Sequence, residues 1–176
     1  RDSRNFTGKV VLVTGSSAGI GAGIAKLFSI LGANVVVTGR NVSRIQSVGK
    51  EVQELSPKKL KPLEIAADLL KPTQLNRLAK QTIETFGKLD VLVNNAGIYP
   101  ADNITDTFLL SEWEDIFDTN LKASVRLVQQ LLPELRKTNG TVIDISSVAG
   151  LQPTAPQLAY STSKAAVHMM TRDLAL

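Results

Sequence analysis

The sequence predicts an α/β domain, a doubly wound parallel sheet with helices on both faces. Three observations predict it. Short apolar runs rich in Val, Ile and Leu recur along the 176 residues, and such runs suit strands covered on both faces. Helix-period segments alternate with them, the order that right-handed crossovers build into one sheet. The turn after the first run is rich in glycine.

Taken in order, strands are expected over 9–14, 34–38, 63–67, 89–94 and 141–146. The helix over 19–31 gathers Ile20, Ile24, Leu27, Phe28 and Leu31 on one stripe, and Gly32 stops it. The helix over 42–55 carries Val42, Ile45, Val48, Val52 and Leu55. The helix over 72–86 opens with proline at its first turn and ends before Gly87. A long helix over 112–137 is expected to start from a capping box, Ser111-Glu112-Trp113-Glu114, with Pro133 kinking or shortening its last turn. A final helix covers 158–176.

Residues 1–176 read as a single domain without linker, repeat or low-complexity tract. The chain stops inside the last helix, which would leave the strand over 141–146 as an apolar, unpaired edge. It also begins with Arg. A fragment is therefore expected, incomplete at the C-terminus, lacking the last strands and missing an N-terminal piece.

Composition narrows the chemistry. A hydrophobic content of 43% decides against disorder. With no cysteine, disulfides, thiolate metal sites and cysteine nucleophiles are excluded. The single histidine, His168, excludes a multi-histidine metal site, and it reads as a packed or partly exposed residue; no metal site is expected. Proton transfer then falls to a carboxylate, Lys, Tyr or Ser. The net charge of +4 is not clustered as a nucleic-acid footprint would be. Lys58, Lys59 and Lys61 lie beside Pro57 and Pro62 without interleaved aromatics, and read as a solvated loop. No signal peptide is visible, and no apolar run approaches the roughly 20 residues that span a bilayer. The sequons at Asn5, Asn41, Asn103 and Asn139 read as chance. A cytoplasmic protein without membrane association is expected, with a transit peptide on a missing N-terminus as the alternative.

The glycine-rich turn is Thr14-Gly15-Ser16-Ser17-Ala18-Gly19-Ile20-Gly21. Gly15 would let the chain leave the strand sharply, Gly19 would let backbone approach a pyrophosphate, and Gly21 would let helix and strand pack closely. The free N–H groups of the following helix would face the phosphates. A tight turn without ligand is the plainer reading. After the second strand stand Gly39 and Arg40, where a carboxylate would suit the ribose 2′-hydroxyl of NAD. A guanidinium there suits a 2′-phosphate, so NADP is favoured, unless Arg40 is only a solvated loop cation.

Tyr160 and Lys164 are four apart on a predicted helix and project from one face. An unassisted phenol is a poor base at neutral pH, and a neighbouring ammonium favours its ionised form. Tyr160 could then exchange a proton with a carbonyl or alcohol oxygen that Ser147, just past the fifth strand, also bonds.

With these residues in place the sequence resembles the short-chain dehydrogenase/reductase family over nearly its whole length. TGSSAGIG at 14–21, NNAG at 94–97, Ser147 in its ISS run and Tyr160-Ser161-Thr162-Ser163-Lys164 agree in order, with Ser147 thirteen positions before Tyr160. The resemblance implies a Rossmann-like fold and an NADP(H)-dependent oxidoreductase acting on a secondary alcohol or ketone. A 3-oxoacyl or other lipophilic carbonyl is the suggested substrate, the apolar loop 148–158 forming one wall. Tyr160 is implied as acid/base, Lys164 as bonding the nicotinamide ribose and easing ionisation of Tyr160, Ser147 as orienting the substrate, and Asn120 as holding a relay water. Asn120 could instead be satisfied within its own helix. The implied cofactor-binding set is Gly15, Ser17, Gly19, Ile20, Gly21, Arg40, Asp68, Asn94, Ala96 and Gly97, joined by Tyr160 and Lys164. Asp68 would contact the adenine, while Asn94 to Gly97 would line the cleft and brace the sheet. The resemblance also implies a homodimer or homotetramer, although Val125, Val128, Leu132, Ala166, Met169 and Met170 could equally be core. Family members add two strands and a substrate lid beyond residue 176. A catalytically silent dinucleotide sensor or interaction protein of the same fold is the alternative.

Overall fold

The computed structural model describes residues 4–176. Five parallel strands form one sheet: β1 (Val10–Val13), β2 (Asn34–Gly39), β3 (Leu63–Ala66), β4 (Val91–Asn94) and β5 (Thr141–Asp144), in the order β3-β2-β1-β4-β5. Val11 pairs with Val35 on one side and Val91 on the other. β1 is therefore central, and all four of its side chains are buried. β5 is the outer strand, as expected, with Ile143 exposed on it.

Alternation along the strands divides the core into two layers. Val10 and Leu12 join Leu75 and Leu78 of α3 (Pro72–Phe86) and Leu127 and Leu131 of α5 (Ala123–Thr138). Val11 and Val13 face the other way, with Ala22 and Ala25 of α1 (Gly19–Ile30) and Ile45 and Val48 of α2 (Val42–Leu55). The doubly wound architecture follows.

Two helix expectations change. α4 (Leu109–Phe117) begins three residues before the expected helix start at 112. Ser111 lies inside it, its hydroxyl donating to Phe108 O at 2.8 Å, and so cannot serve as the cap. The helix then passes through a π-helical turn (Asp118–Lys122) into α5, which runs on past Pro133 to Thr138. α6 spans Leu158–Asp173, three residues short of the expected end.

Asp90, only 4% exposed, ties β1 to β4. It accepts from Lys9 Nζ at 2.7 Å and from the Val10 N–H at 2.9 Å, and Lys88 Nζ stands 3.1 Å away. Burial pushes its pKa up, but these donors outweigh burial and the net direction is down. A depressed folded-state pKa gives stability that is present above the unfolded value, about 3.9, and lost as pH falls through the folded value. Asp90→Asn is expected to cost about 2 kcal/mol at pH 7. The difference from the parent should shrink toward zero below that window, as thermal unfolding across pH would show.

Candidate active site

The turn from β1 into α1 is held by its neighbours. Thr14 Oγ1 accepts from the N–H groups of Asn95 and Ala96 at 2.9 and 3.0 Å. Ser16 Oγ accepts from the Thr38 N–H at 2.9 Å. Gly15 and Gly19 take left-handed backbone, at φ +64° and +53°. At Gly21 a Cβ would fall on Asn95 Nδ2 and within 2.5 Å of Gly15 O, so the loop closes only over a glycine. Ala18, before α1, provides no side-chain cap, and the first turn of α1 carries no acidic residue. The positive end of the helix is left open to solvent.

A cleft of about 560 Å³ opens there, across the carboxyl ends of β1 to β4. Of the sequence-predicted residues, Gly15, Ser17, Gly19, Ile20, Arg40, Asp68, Ala96 and Gly97 line it. Asp68 Oδ1 accepts from the Leu70 N–H at 3.1 Å. Gly21 lies beneath the turn rather than on the lining. Asn94 corrects the expectation for the cleft wall. Its side chain is buried in the sheet, with Nδ2 donating to Asp144 Oδ1 at 2.8 Å. Asn95 takes the lining position, its amide donating to Thr14 O at 2.9 Å. Arg44, Asp115 and Thr119 also line the cleft and were not singled out from the sequence. Arg44 had a signal, since it is a second arginine four positions after Arg40, in the first turn of α2.

The second group of side chains meets the cleft at Gly97. A Cβ on Gly97 would stand 3.2 Å from Asn120 Oδ1 and 3.7 Å from Lys164 Nζ. Asn120 sits in the π-helical turn, a feature often found at functional sites. Its Oδ1 accepts from the Ile98 N–H at 2.8 Å, and its Nδ2 donates to Ile98 O and Ser163 Oγ, both at 3.1 Å. Asn120 is thus satisfied by other segments, not within its own helix.

Lys164, 5% exposed, donates from Nζ to Ile145 O at 2.7 Å and lies 5.8 Å from the centre of the Tyr160 ring. Burial pushes its pKa below the usual lysine range, and the Asp144 carboxylate opposes that shift. Asp144 is itself held by Asn94 and by Thr171 Oγ1 at 2.8 Å. Ser147 precedes a 3-10 turn (Val148–Gly150), its Oγ accepting from the Ala149 N–H at 3.2 Å. A Cβ on Gly150 would stand 2.7 Å from the carbonyl carbon of Lys164, so this turn seats directly on α6. Tyr160 packs edge-on against Tyr99, with ring centres 5.1 Å apart. His168 has a buried Nε2 without a hydrogen-bond partner among the described residues.

Residues 9–176 match the family described as short chain dehydrogenase. An uncharacterized oxidoreductase of Staphylococcus epidermidis is 35% identical over 167 residues, covering 94% of this chain and 70% of that protein. One of Staphylococcus saprophyticus is 38% identical over 168 residues, with the same coverage. Among solved structures, a 7α-hydroxysteroid dehydrogenase complexed with NADH and 7-oxo glycochenodeoxycholic acid superposes with a TM-score of 0.91 at 30% identity, covering 98% of this chain and 66% of that one. L-sorbose reductase from Gluconobacter frateurii, complexed with NADPH and L-sorbose, gives 0.92 at 32% identity, covering 98% and 65%. The chain thus spans just under two thirds of those two solved chains. Parallel sheet, glycine-rich turn, and Tyr160 and Lys164 side by side on α6 agree with these likenesses: the chain belongs to the short-chain dehydrogenase/reductase family of oxidoreductases.

Proposed function

We propose that the chain carries the NADP(H)-binding and proton-transfer machinery of an oxidoreductase acting on a secondary alcohol or ketone. The observation that carries this reading is the junction at Gly97, where the cleft meets Asn120 and Lys164, with Tyr160 beside Lys164. The residues fit a dinucleotide. The open N-terminus of α1, free of acidic side chains, suits a pyrophosphate. When bound, the coenzyme supplies or accepts the hydride. Tyr160 gives or takes the proton at its hydroxyl, with the Lys164 side chain standing beside its ring. Ser147 orients the substrate oxygen, and Asn120 holds the backbone of Ile98 in place beside them.

NADP is the coenzyme we propose over NAD. The two solved neighbours carry NADH and NADPH respectively, so the choice rests on this chain's own residues. Arg40 and Arg44 both line the cleft, at the end we assign to the adenosine. A side chain at Gly39 would meet Ser17, its Cβ standing 2.8 Å from Ser17 Cβ, which closes the position an acidic residue would need. Arg40→Ala is expected to weaken NADPH binding about tenfold or more, equivalent to roughly 1.4 kcal/mol, and to leave NADH nearly unchanged. Calorimetric titration of parent and variant with both coenzymes reads this directly. NADH binding to the parent as tightly as NADPH overturns the coenzyme assignment.

The substrate we propose is a lipophilic carbonyl, of which a 3-oxoacyl compound is one example, because Val148 and Leu151 stay exposed beside Ser147. Consumption of NADPH with a panel of ketones tests the enzymatic reading. Tight coenzyme binding without turnover on that panel would assign the chain to sensing instead. Val125 on α5 and Met169 on α6 are exposed, while Val128 is core, and the exposed pair supports a homodimer or homotetramer. Among the described residues no helix is long and apolar enough to cross a membrane; the cytoplasm is the compartment we propose.

A further inference from the structure

A buried carboxylate joins the segment after β4 to the start of α6. Asp102 is 1% exposed, and both of its oxygens lie 3.2 Å from the Ala159 N–H. Its own N–H donates to Pro156 O at 3.2 Å, and it forms a parallel bridge with Gln157. α6 has use for such a partner. The first N–H groups of a helix find no acceptor within it, and Gln157, which precedes α6, makes no capping bond. A carboxylate at that end also meets the positive pole of the helix dipole. The residue after Ala159 is Tyr160. Tyr99, three residues before Asp102, packs on the Tyr160 ring, and its hydroxyl accepts from Gln157 Nε2 at 3.3 Å.

We infer that Asp102 is a positioning residue that caps α6 from a distant segment and fixes the turn from which Tyr160 projects. This rests on the reading of Tyr160 as the proton donor and acceptor. Lys164 is anchored separately, through Ile145 O and through Ser146 Oγ on its own carbonyl. Loss of the cap therefore loosens Tyr160 and leaves Lys164 and the coenzyme cleft in place.

The test compares Asp102→Ala with Asp102→Asn, which retains an acceptor of similar shape. Turnover is measured with NADPH and ethyl acetoacetate as the probe ketone, and amide exchange is followed in parallel. Asp102→Ala is expected to lower kcat about 30-fold with the KM for NADPH within about twofold. Exchange at 159–161 should speed up about tenfold or more while the β1 amides stay protected. Asp102→Asn should recover kcat to within about threefold of the parent. Full activity in Asp102→Ala overturns the inference. So does a joint loss of kcat, NADPH affinity and β1 protection, which marks general loosening, and so does an Asn variant no better than Ala. If the parent binds NADPH and does not reduce the probe, that failure belongs to the functional reading. Exchange then decides the cap alone: faster exchange at 159–161 upholds it, and unchanged exchange overturns it.

Discussion

Replacing Tyr160 by phenylalanine is expected to lower ketone reduction by about 10³-fold, while NADPH affinity stays within about twofold. The substitution removes one oxygen and keeps the ring. The edge-on contact with Tyr99 and the approach of Lys164 to the ring both depend on the ring alone. The bonds that hold α6 run through Asp102, Asn120, Ser146, Lys164 and Thr171, and none of them uses the Tyr160 hydroxyl. Stability should therefore hardly move, and a large drop in kcat isolates the proton-transfer role. A variant that turns over at even a tenth of the parent rate, or one that loses coenzyme in step with activity, would place the proton elsewhere.

Gly21→Ala is expected to destabilise the chain by about 2 kcal/mol and to weaken NADPH binding about 100-fold. The added methyl lands on Asn95 Nδ2 and Gly15 O. Gly15 O belongs to backbone, and the Asn95 amide is bonded to Thr14 O, so neither can give way cheaply. The turn must open, and the N–H groups that would meet the phosphates move with it. Gly23, on the same helix, has nothing within 4 Å of a Cβ. Gly23→Ala should accordingly stabilise, by about 0.5–1 kcal/mol, through helix propensity alone. Thermal unfolding and NADPH titration of the two variants separate steric closure from any general effect of alanine. Equal behaviour of the pair would refute the closure argument.

Local signals were enough where an element carries its own ends. α2 spans the expected 42–55, because Asn41 accepts from the Arg44 N–H at 3.0 Å. α3 spans the expected 72–86, because Pro72 opens it and Gly87 closes it in the left-handed region at φ 70°. α4 failed the same test. Ser111 has the residue type of a cap, but its hydroxyl turned to the Phe108 carbonyl, and burial of Leu109 drew the helix start forward. The π-helical turn was also out of reach, since a single widened turn barely disturbs a 3.6-residue pattern. Within the pair Asn94 and Asn95, residue type could not say which faces the cleft. Asn94 is the last residue of β4 and bonds Asp144 of the neighbouring strand, whereas Asn95 lies past the strand end and reaches across to Thr14.

What the sequence determined by itself is whatever depends on near neighbours along the chain: the alternation of strands and helices, the glycine-rich turn, and Tyr160 one helical turn before Lys164. These are legible because a helix repeats every 3.6 residues and a strand every two. The tertiary structure alone decided which distant groups complete the site. Asn120 reaches the backbone of Ile98, 22 positions away, and Asp102 caps α6 across 57. Such contacts depend on how separate segments cross after the sheet has assembled. Any of several Asn or Asp residues could have made them, so residue type without placement does not select the one that does.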